Sequence, residues 1–169
     1  MRRIKLVLVL LFSIFLVTNL LAEDFKVLRQ PSINSDGTEI AFSYQGDIWT
    51  IPLAGGRPFR LTVQEAYEGY PKWSPDGKMI AFSGDRYGNA DIFTIPAKGG
   101  KSTRLTYHST SDGITDWTED GKIIFNSNRN FRQVEWDPEI QAVSVDSGTP
   151  YRFMDAFGSD AVQSPNGRF

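Results

Sequence analysis

Residues 72–82 read Lys-Trp-Ser-Pro-Asp-Gly-Lys-Met-Ile-Ala-Phe, and the same phrase returns along the chain. It is written as SINSDGTEIAF from Ser32 to Phe42 and as DWTEDGKIIF from Asp116 to Phe125, and it begins again as VQSPNGRF from Val162 to Phe169. The turn glycines Gly37, Gly77, Gly121 and Gly167 stand 40, 44 and 46 residues apart. A period in this range marks a repeat architecture, in which each unit buries its apolar face only against its neighbours.

Turn chemistry sets the reading of each copy. In Pro75-Asp76-Gly77, proline presets φ, aspartate suits the next position, and glycine takes the left-handed conformation after it. This predicts a type I turn with a glycine bulge, a three-residue hairpin connection. The position before it is Asn34, Ser74, Thr118 or Ser164, each able to bond the turn backbone. A second strand follows at once, over Glu39–Phe42 and Met79–Phe82, but Ile123–Phe125 is one residue short. A one-residue slip would turn every side chain to the opposite face, so a compensating deletion is expected near that turn.

A third strand reads DIWTI from Asp47, DIFTI from Asp91 and EIQAV from Glu139. Turns at Gly55-Gly56, Gly99-Gly100 and Ser147-Gly148 precede a fourth strand, predicted over Arg60–Thr62, Arg104–Thr106 and Arg152–Met154. Four short antiparallel strands per unit, without helical periodicity between them, predict an all-β propeller blade. A β-sandwich is the rival, but it does not require the same turn, acid and arginine to recur in register. The chain supplies three complete blades and the start of a fourth. Rings close with about four to eight blades, so residues 23–169 are expected to be an incomplete propeller from a longer chain, with self-assembly of partial rings as the alternative.

Residues 1–22 fall outside this pattern. Arg2, Arg3 and Lys5 precede an apolar run from Leu6 to Leu21, and Ala22 offers a small residue before Glu23. This predicts a signal peptide, cleaved after Ala22 and directing the protein to the periplasm or outside the cell. Its removal would leave 15 of the 18 basic residues against all 20 acidic ones. Such a balance argues against nucleic acid, which demands a basic face. The chain has no cysteine, which excludes disulfides and thiolate metal sites.

With WSPDGKMIAFS, DIFTIPAKGG and RLT in place, the chain resembles the WD40-like repeats of TolB and of tricorn-type proteases. LRQPSINSDGTEIAFSYQGDIWTIP and RLTYHSTSDGITDWTEDGK most resemble the bacterial tricorn-like serine peptidases. The resemblance implies a six-bladed ring, followed in the family by further propeller, PDZ-like and catalytic segments. The implied role is to gate or guide peptide substrates in a hydrolase whose active site lies elsewhere. A TolB-like envelope scaffold and the propeller cap of a prolyl-oligopeptidase-type enzyme are the alternatives. Oligomers of the full-length protein are compatible with each.

Strand parity places the glycine turns on one face and the second-to-third hairpins on the other. From turn glycine to third-strand acid the distance grows from 10 residues (Gly37 to Asp47) to 14 (Gly77 to Asp91) and 18 (Gly121 to Glu139). Long loops on a rigid scaffold are where function gathers. Arg129, Phe131, Arg132 and Trp136, in the longest of them, are the candidate peptide or protein contacts. Asp85, Asn89 and Asp91 have oxygen ligands but no calcium-loop spacing, so no metal is assigned and no cofactor is implied.

The one histidine, His108, has Ser109, Ser111 and Asp112 only as sequence neighbours, and no G-x-S-x-G elbow occurs. A triad needs convergence in space, so no catalytic residue is assigned. Gly100-Lys101-Ser102 lacks the first glycine of a phosphate loop, because Ile95 stands there. Trp73 and Trp117 share one first-strand position and are expected to pack between blades, while Asp47, Asp91 and Glu139 are expected to tie the hairpin to the recurring arginine.

Overall fold

A computed structural model describes residues 27–129, 138–146 and 148–164. The leader reading therefore lies outside the described residues; among those described, no helix is long and apolar enough to cross a membrane. Twelve strands form three separate four-stranded antiparallel sheets, with no helix among the described residues. The first sheet holds β1 (Arg29–Ile33), β2 (Glu39–Tyr44), β3 (Asp47–Pro52) and β4 (Phe59–Arg60). The second holds β5 (Glu68–Trp73), β6 (Met79–Gly84), β7 (Asp91–Pro96) and β8 (Thr103–Arg104). The third holds β9 (Asp112–Trp117), β10 (Lys122–Ser127), β11 (Glu139–Ser144) and β12 (Tyr151–Phe157). Each sheet pairs its strands in chain order, and the first strands of successive sheets pack on one another, β1 on β5 and β5 on β9. These are propeller blades with their first strands innermost, and together they make a partial propeller.

The core lies between blades. One cluster joins Ala41, Ile48 and Leu61 of blade one to Trp73, Ile80, Phe82, Phe93 and Ile95 of blade two. The next joins Ala81, Ile92 and Leu105 of blade two to Ile114, Trp117, Ile123, Phe125 and Val143 of blade three. Side chains alternate across a strand, so Ile80 and Phe82 face one neighbour while Ala81 faces the other. Blade two is buried on both faces, which is why MIAF reads as a continuous apolar run and DIFTI is buried throughout, Asp91 and Thr94 included.

Trp73 and Trp117 do pack between blades, each buried. The Trp73 indole N–H donates to the Ser32 carbonyl at 3.1 Å, and that of Trp117 to the Lys72 carbonyl at 2.9 Å.

The turns follow the predicted chemistry with one correction. Gly37, Gly77 and Gly121 have φ of 72°, 67° and 80°, and their N–H groups donate to the carbonyls of Asn34, Ser74 and Thr118. In blades one and two, however, the closing bonds run from Asn34 N to Glu39 O and from Ser74 N to Met79 O, so four residues make the connection. Thr38 N and Lys78 N donate to the Asp36 and Asp76 carboxylates, which keeps those residues in the turn. Blade three closes from Thr118 N to Lys122 O and has the three-residue connection. The expected compensating deletion is the missing counterpart of Lys78. With it gone, Ile123 faces Trp117 as Ile80 faces Trp73.

The fourth strand is shifted in blades one and two. The ladder ends at Arg60 and Arg104 because the next strand bond goes to a side chain: Ile48 N donates to Thr62 Oγ1, and Ile92 N to Thr106 Oγ1, each at 2.9 Å.

Candidate functional site

Antiparallel chain order puts the β6–β7 and β10–β11 connections at one end of the blades, together with the connectors that lead to β5 and β9. Two sets of ion pairs hold this end. The recurring arginine does tie the hairpin: Arg60 pairs with Asp47, Arg104 Nη2 lies 2.7 Å from Asp91 Oδ2, and Arg152 Nε lies 3.8 Å from Glu139 Oε1.

The second set has no counterpart in the sequence reading. Glu68 and Asp112 open the inner strands of blades two and three, and both are fully buried. Arg86 binds Glu68, and Arg129 Nη2 donates to Asp112 Oδ2 at 2.6 Å. Each arginine stands two residues past the end of its second strand and lies over a core ring, Arg86 on Phe93 at 4.5 Å and Arg129 on Phe125 at 5.0 Å. Blade one has Gly46 at that position, in a tight Gln45-Gly46 turn with φ of 52° and 85°.

Two acids thus approach each other across each blade junction. Burial raises the pKa of Glu68, opposed by a Thr62 hydrogen bond and the Arg86 charge, and Asp47 adds to the rise. Burial also raises that of Asp91, opposed by Arg104 and reinforced by Asp112. Glu68 Oε2 and Asp112 Oδ1 have no hydrogen-bond partner in the protein. Each junction therefore carries two carboxylates and two guanidinium groups in a largely dry setting, a compensated arrangement in which removal of one partner is costly.

Of the four candidate contacts, Phe131, Arg132 and Trp136 lie outside the described residues. Arg129 is described: beyond Asp112, its backbone N–H and Nε both donate to Ser127 Oγ. Its guanidinium is anchored inward and fixes the start of the loop that carries the other three.

Blade two presents a second feature on this face. The Arg104 guanidinium lies between the rings of Tyr87 and Tyr107, 4.1 and 4.6 Å from their centroids. Both rings are open to solvent, at 63% and 69% exposure. The Tyr107 hydroxyl donates to the Arg104 carbonyl, and Tyr87 stacks on Phe93. Asn89 Nδ2 donates to the carbonyls of His108 and Thr110, which ties the hairpin to the connector.

These bonds also place the remaining sequence candidates. His108 Nδ1 bonds Thr110 Oγ1 at 2.8 Å, Ser111 Oγ accepts from Ala90 N, and Asp112 is held by Arg129, so the three do not converge. Asp85 Oδ1 accepts from Tyr67 N at 2.7 Å while Asp91 faces Arg104. Among the described residues no three acid, histidine or cysteine side chains gather around a metal position. Ser102 Oγ accepts from Arg86.

The inner strands carry one further irregularity. Gln30 and Tyr70, each preceding a proline, sit at φ of 53° and 57°, within the bulges of β1 and β5. A bulky aromatic in this region is strained. The Gln30 Oε1 that accepts from Tyr70 N at 3.0 Å, and from Ser43 Oγ, fixes both residues.

The Tricorn protease homolog 1 of Streptomyces coelicolor is 36% identical over 52 residues, which cover 31% of this chain and 5% of that protein. A structure from Agrobacterium tumefaciens assigned to TolB superposes with a TM-score of 0.70 at 23% identity, covering 85% of this chain and 52% of that one. The crystal structure of the tricorn protease gives 0.65 at 20% identity, covering 76% of this chain and 13% of that one. The chain thus spans a small part of the curated relatives it matches. Residues 25–169 match the model of the tricorn protease N-terminal β-propeller domain, and with that match over most of its length the chain belongs to the tricorn N-terminal propeller family.

Proposed function

We propose that this chain is the non-catalytic opening propeller of a tricorn-like serine peptidase of the periplasm or the cell exterior. There it guides peptides toward an active site carried elsewhere in the protein. The observation that carries this reading is the family match over residues 25–169. Its support on the loop face is an arginine–acid framework at each junction, from which the Arg129 loop springs. Export rests on the Arg2–Ala22 leader pattern.

The test uses the full-length protein and an unstructured peptide substrate. Arg132→Ala and Trp136→Ala should raise KM about tenfold with kcat unchanged, the mark of lost binding that is uniform along the reaction. A fall in kcat at constant KM would overturn the guiding role. Mass spectrometry of the exported protein should find Glu23 at the N-terminus.

A TolB-like scaffold that binds other envelope proteins is the second reading, favoured by the TM-score of 0.70 to the Agrobacterium structure. Finding peptidase and PDZ-like segments encoded beyond Phe169 would support the first reading. A ring that closes with nothing further would support the second.

A further inference from the structure

The two blade junctions are built from equivalent positions, and on the glycine-turn face they end differently. Between blades one and two, Phe59 reaches from β4 to the next blade, where a Cβ on Gly99 would meet its ring at 3.5 Å. Beside it Lys98 Nζ of blade two lies 3.6 Å from Glu39 Oε2 of blade one. A half-exposed aromatic ring and an exposed ammonium group thus lie over the edge of this junction.

Between blades two and three the same positions are occupied otherwise. The ladders pair Thr50 with Phe59 and Thr94 with Thr103, so Thr103 replaces the ring. They pair Glu39 with Pro52, Met79 with Pro96 and Lys122 with Ser144, so Met79 replaces Glu39 and Asp146 replaces Lys98. The result is an open groove of about 560 Å³. Its apolar floor is Met79, Trp117 and Val145, and Glu119 and Asp146 stand on its rim. Asp76 and Asp120, also on the rim, are paired with Lys78 and Lys122, whereas Glu119 and Asp146 have no ion pair among the described residues.

We propose that this groove is a docking site for a peptide segment that carries an aromatic side chain beside a lysine or arginine. The first junction shows which groups lie over such a space. A ligand that supplies a ring over Met79 and Trp117, and a cation to Asp146 and Glu119, restores at the second junction what Phe59 and Lys98 do at the first. The charge reversal from Lys98 to Asp146 sets the sign of the partner, and the threonine in place of phenylalanine leaves room for the ring. This site lies on the opposite face from the Arg129 loop, so it stands or falls independently of the guiding role proposed above.

The probe is the tripeptide acetyl-Lys-Phe-Lys-amide, titrated into the whole chain while the Trp117 indole N–H resonance is followed by NMR. Acetyl-Glu-Phe-Glu-amide and acetyl-Lys-Ala-Lys-amide are the controls and should bind at least about tenfold more weakly, a factor that corresponds to one lost side-chain contact of ordinary strength. Thr103→Phe should block the groove and Asp146→Lys should repel the peptide, each lowering affinity by a similar factor. Both positions are exposed, so folding is retained. Glu39→Met combined with Phe59→Thr and Lys98→Asp should open the first junction and add a second binding event. Absence of any shift with the parent chain at millimolar peptide would overturn the proposal. So would equal binding of the two charged peptides, or unchanged affinity in both Thr103→Phe and Asp146→Lys. A groove that takes the peptide only after a segment of the same chain is removed would also overturn it.

Discussion

The indole nitrogen of Trp117 donates to the carbonyl of Lys72, 2.9 Å away in the preceding blade. One side chain therefore fills the space between two blades and satisfies a carbonyl of the inner strand beside it. Trp117→Ala should cost about 3–5 kcal/mol, the usual range for a large buried aromatic. Trp117→Phe keeps much of the packing but strands the Lys72 carbonyl, and should cost about 1–3 kcal/mol. Urea titration checks both. A negligible loss for Trp117→Phe would show that the hydrogen bond contributes nothing beyond shape.

The two kinds of arginine should behave differently. Arg129 is 13% exposed and faces a fully buried Asp112, so Arg129→Ala leaves an uncompensated charge in the core and should cost about 3–5 kcal/mol. Adding Asp112→Asn to it should recover a large part of that loss. Arg60 is 42% exposed although its acid Asp47 is buried, and Gln64 N also donates to that acid, so Arg60→Ala should cost less, about 1–3 kcal/mol. A double-mutant cycle on Arg129 and Asp112 measures the coupling directly.

Stability should pass through a maximum in weak acid. Burial raises Glu68 and Asp91 above their ordinary values of 4.5 and 3.8. The native state therefore takes up protons before the unfolded chain does, and stability increases as pH falls from neutral through these raised values. The turn aspartates act in the opposite sense. Asp36 is lowered by the Thr38 hydroxyl, Asp76 by that of Ser74, and Asp120 by Lys122. Their contribution is complete above the ordinary value of 3.8 and is lost as pH falls through the lowered ones. Unfolding midpoints should rise as pH falls from neutral toward the ordinary carboxylate range and fall again below the ordinary aspartate value of 3.8. Glu68→Gln should flatten the rise and leave the acid limb in place.

Deletion separates the turn from the strand. Removing Lys78 converts the second-blade connection to the three-residue form of blade three, and should cost about 1 kcal/mol, mainly the local bonds to Asp76. Removing Met79 instead leaves Gly77-Lys78-Ile80, the order that Gly121-Lys122-Ile123 has in blade three, and should be tolerated about as well. Removing both Lys78 and Met79 leaves no residue to spare in the turn, so β6 shifts by one residue and its two buried faces exchange. That variant should fail to fold, as circular dichroism and proteolysis would show.

The blades were legible because turn chemistry is local: Pro75-Asp76-Gly77 announces a hairpin whatever surrounds it. The Asp91–Arg104 tie was legible for a related reason, since both residues recur at fixed offsets from glycines. Glu68–Arg86 and Asp112–Arg129 were not. Their acids differ in type, and blade one carries Gly46 at the arginine position, so the pattern never repeats three times. Arg129 consequently read as a surface contact when its guanidinium serves a buried acid. The signal that could have found the pair is an arginine two residues beyond each long second strand, with an acid opening the first. The groove at Met79 and Asp146 was hidden more deeply, because it exists only as a difference between positions made equivalent by ladder register.

Four of the bonds that join the blades share one direction. Trp73 and Trp117 donate from the later blade to carbonyls of the earlier one, and so do the amides of Glu68 to Gly46 and Asp112 to Ala90. A polypeptide delivered with its N-terminus first, whether from a ribosome or through a membrane pore, meets these four acceptors already in place when the matching donors arrive. Assembly can then proceed as a zipper with a fixed starting end, each finished blade acting as the template for the next, and the first blade alone bears the burden of nucleation.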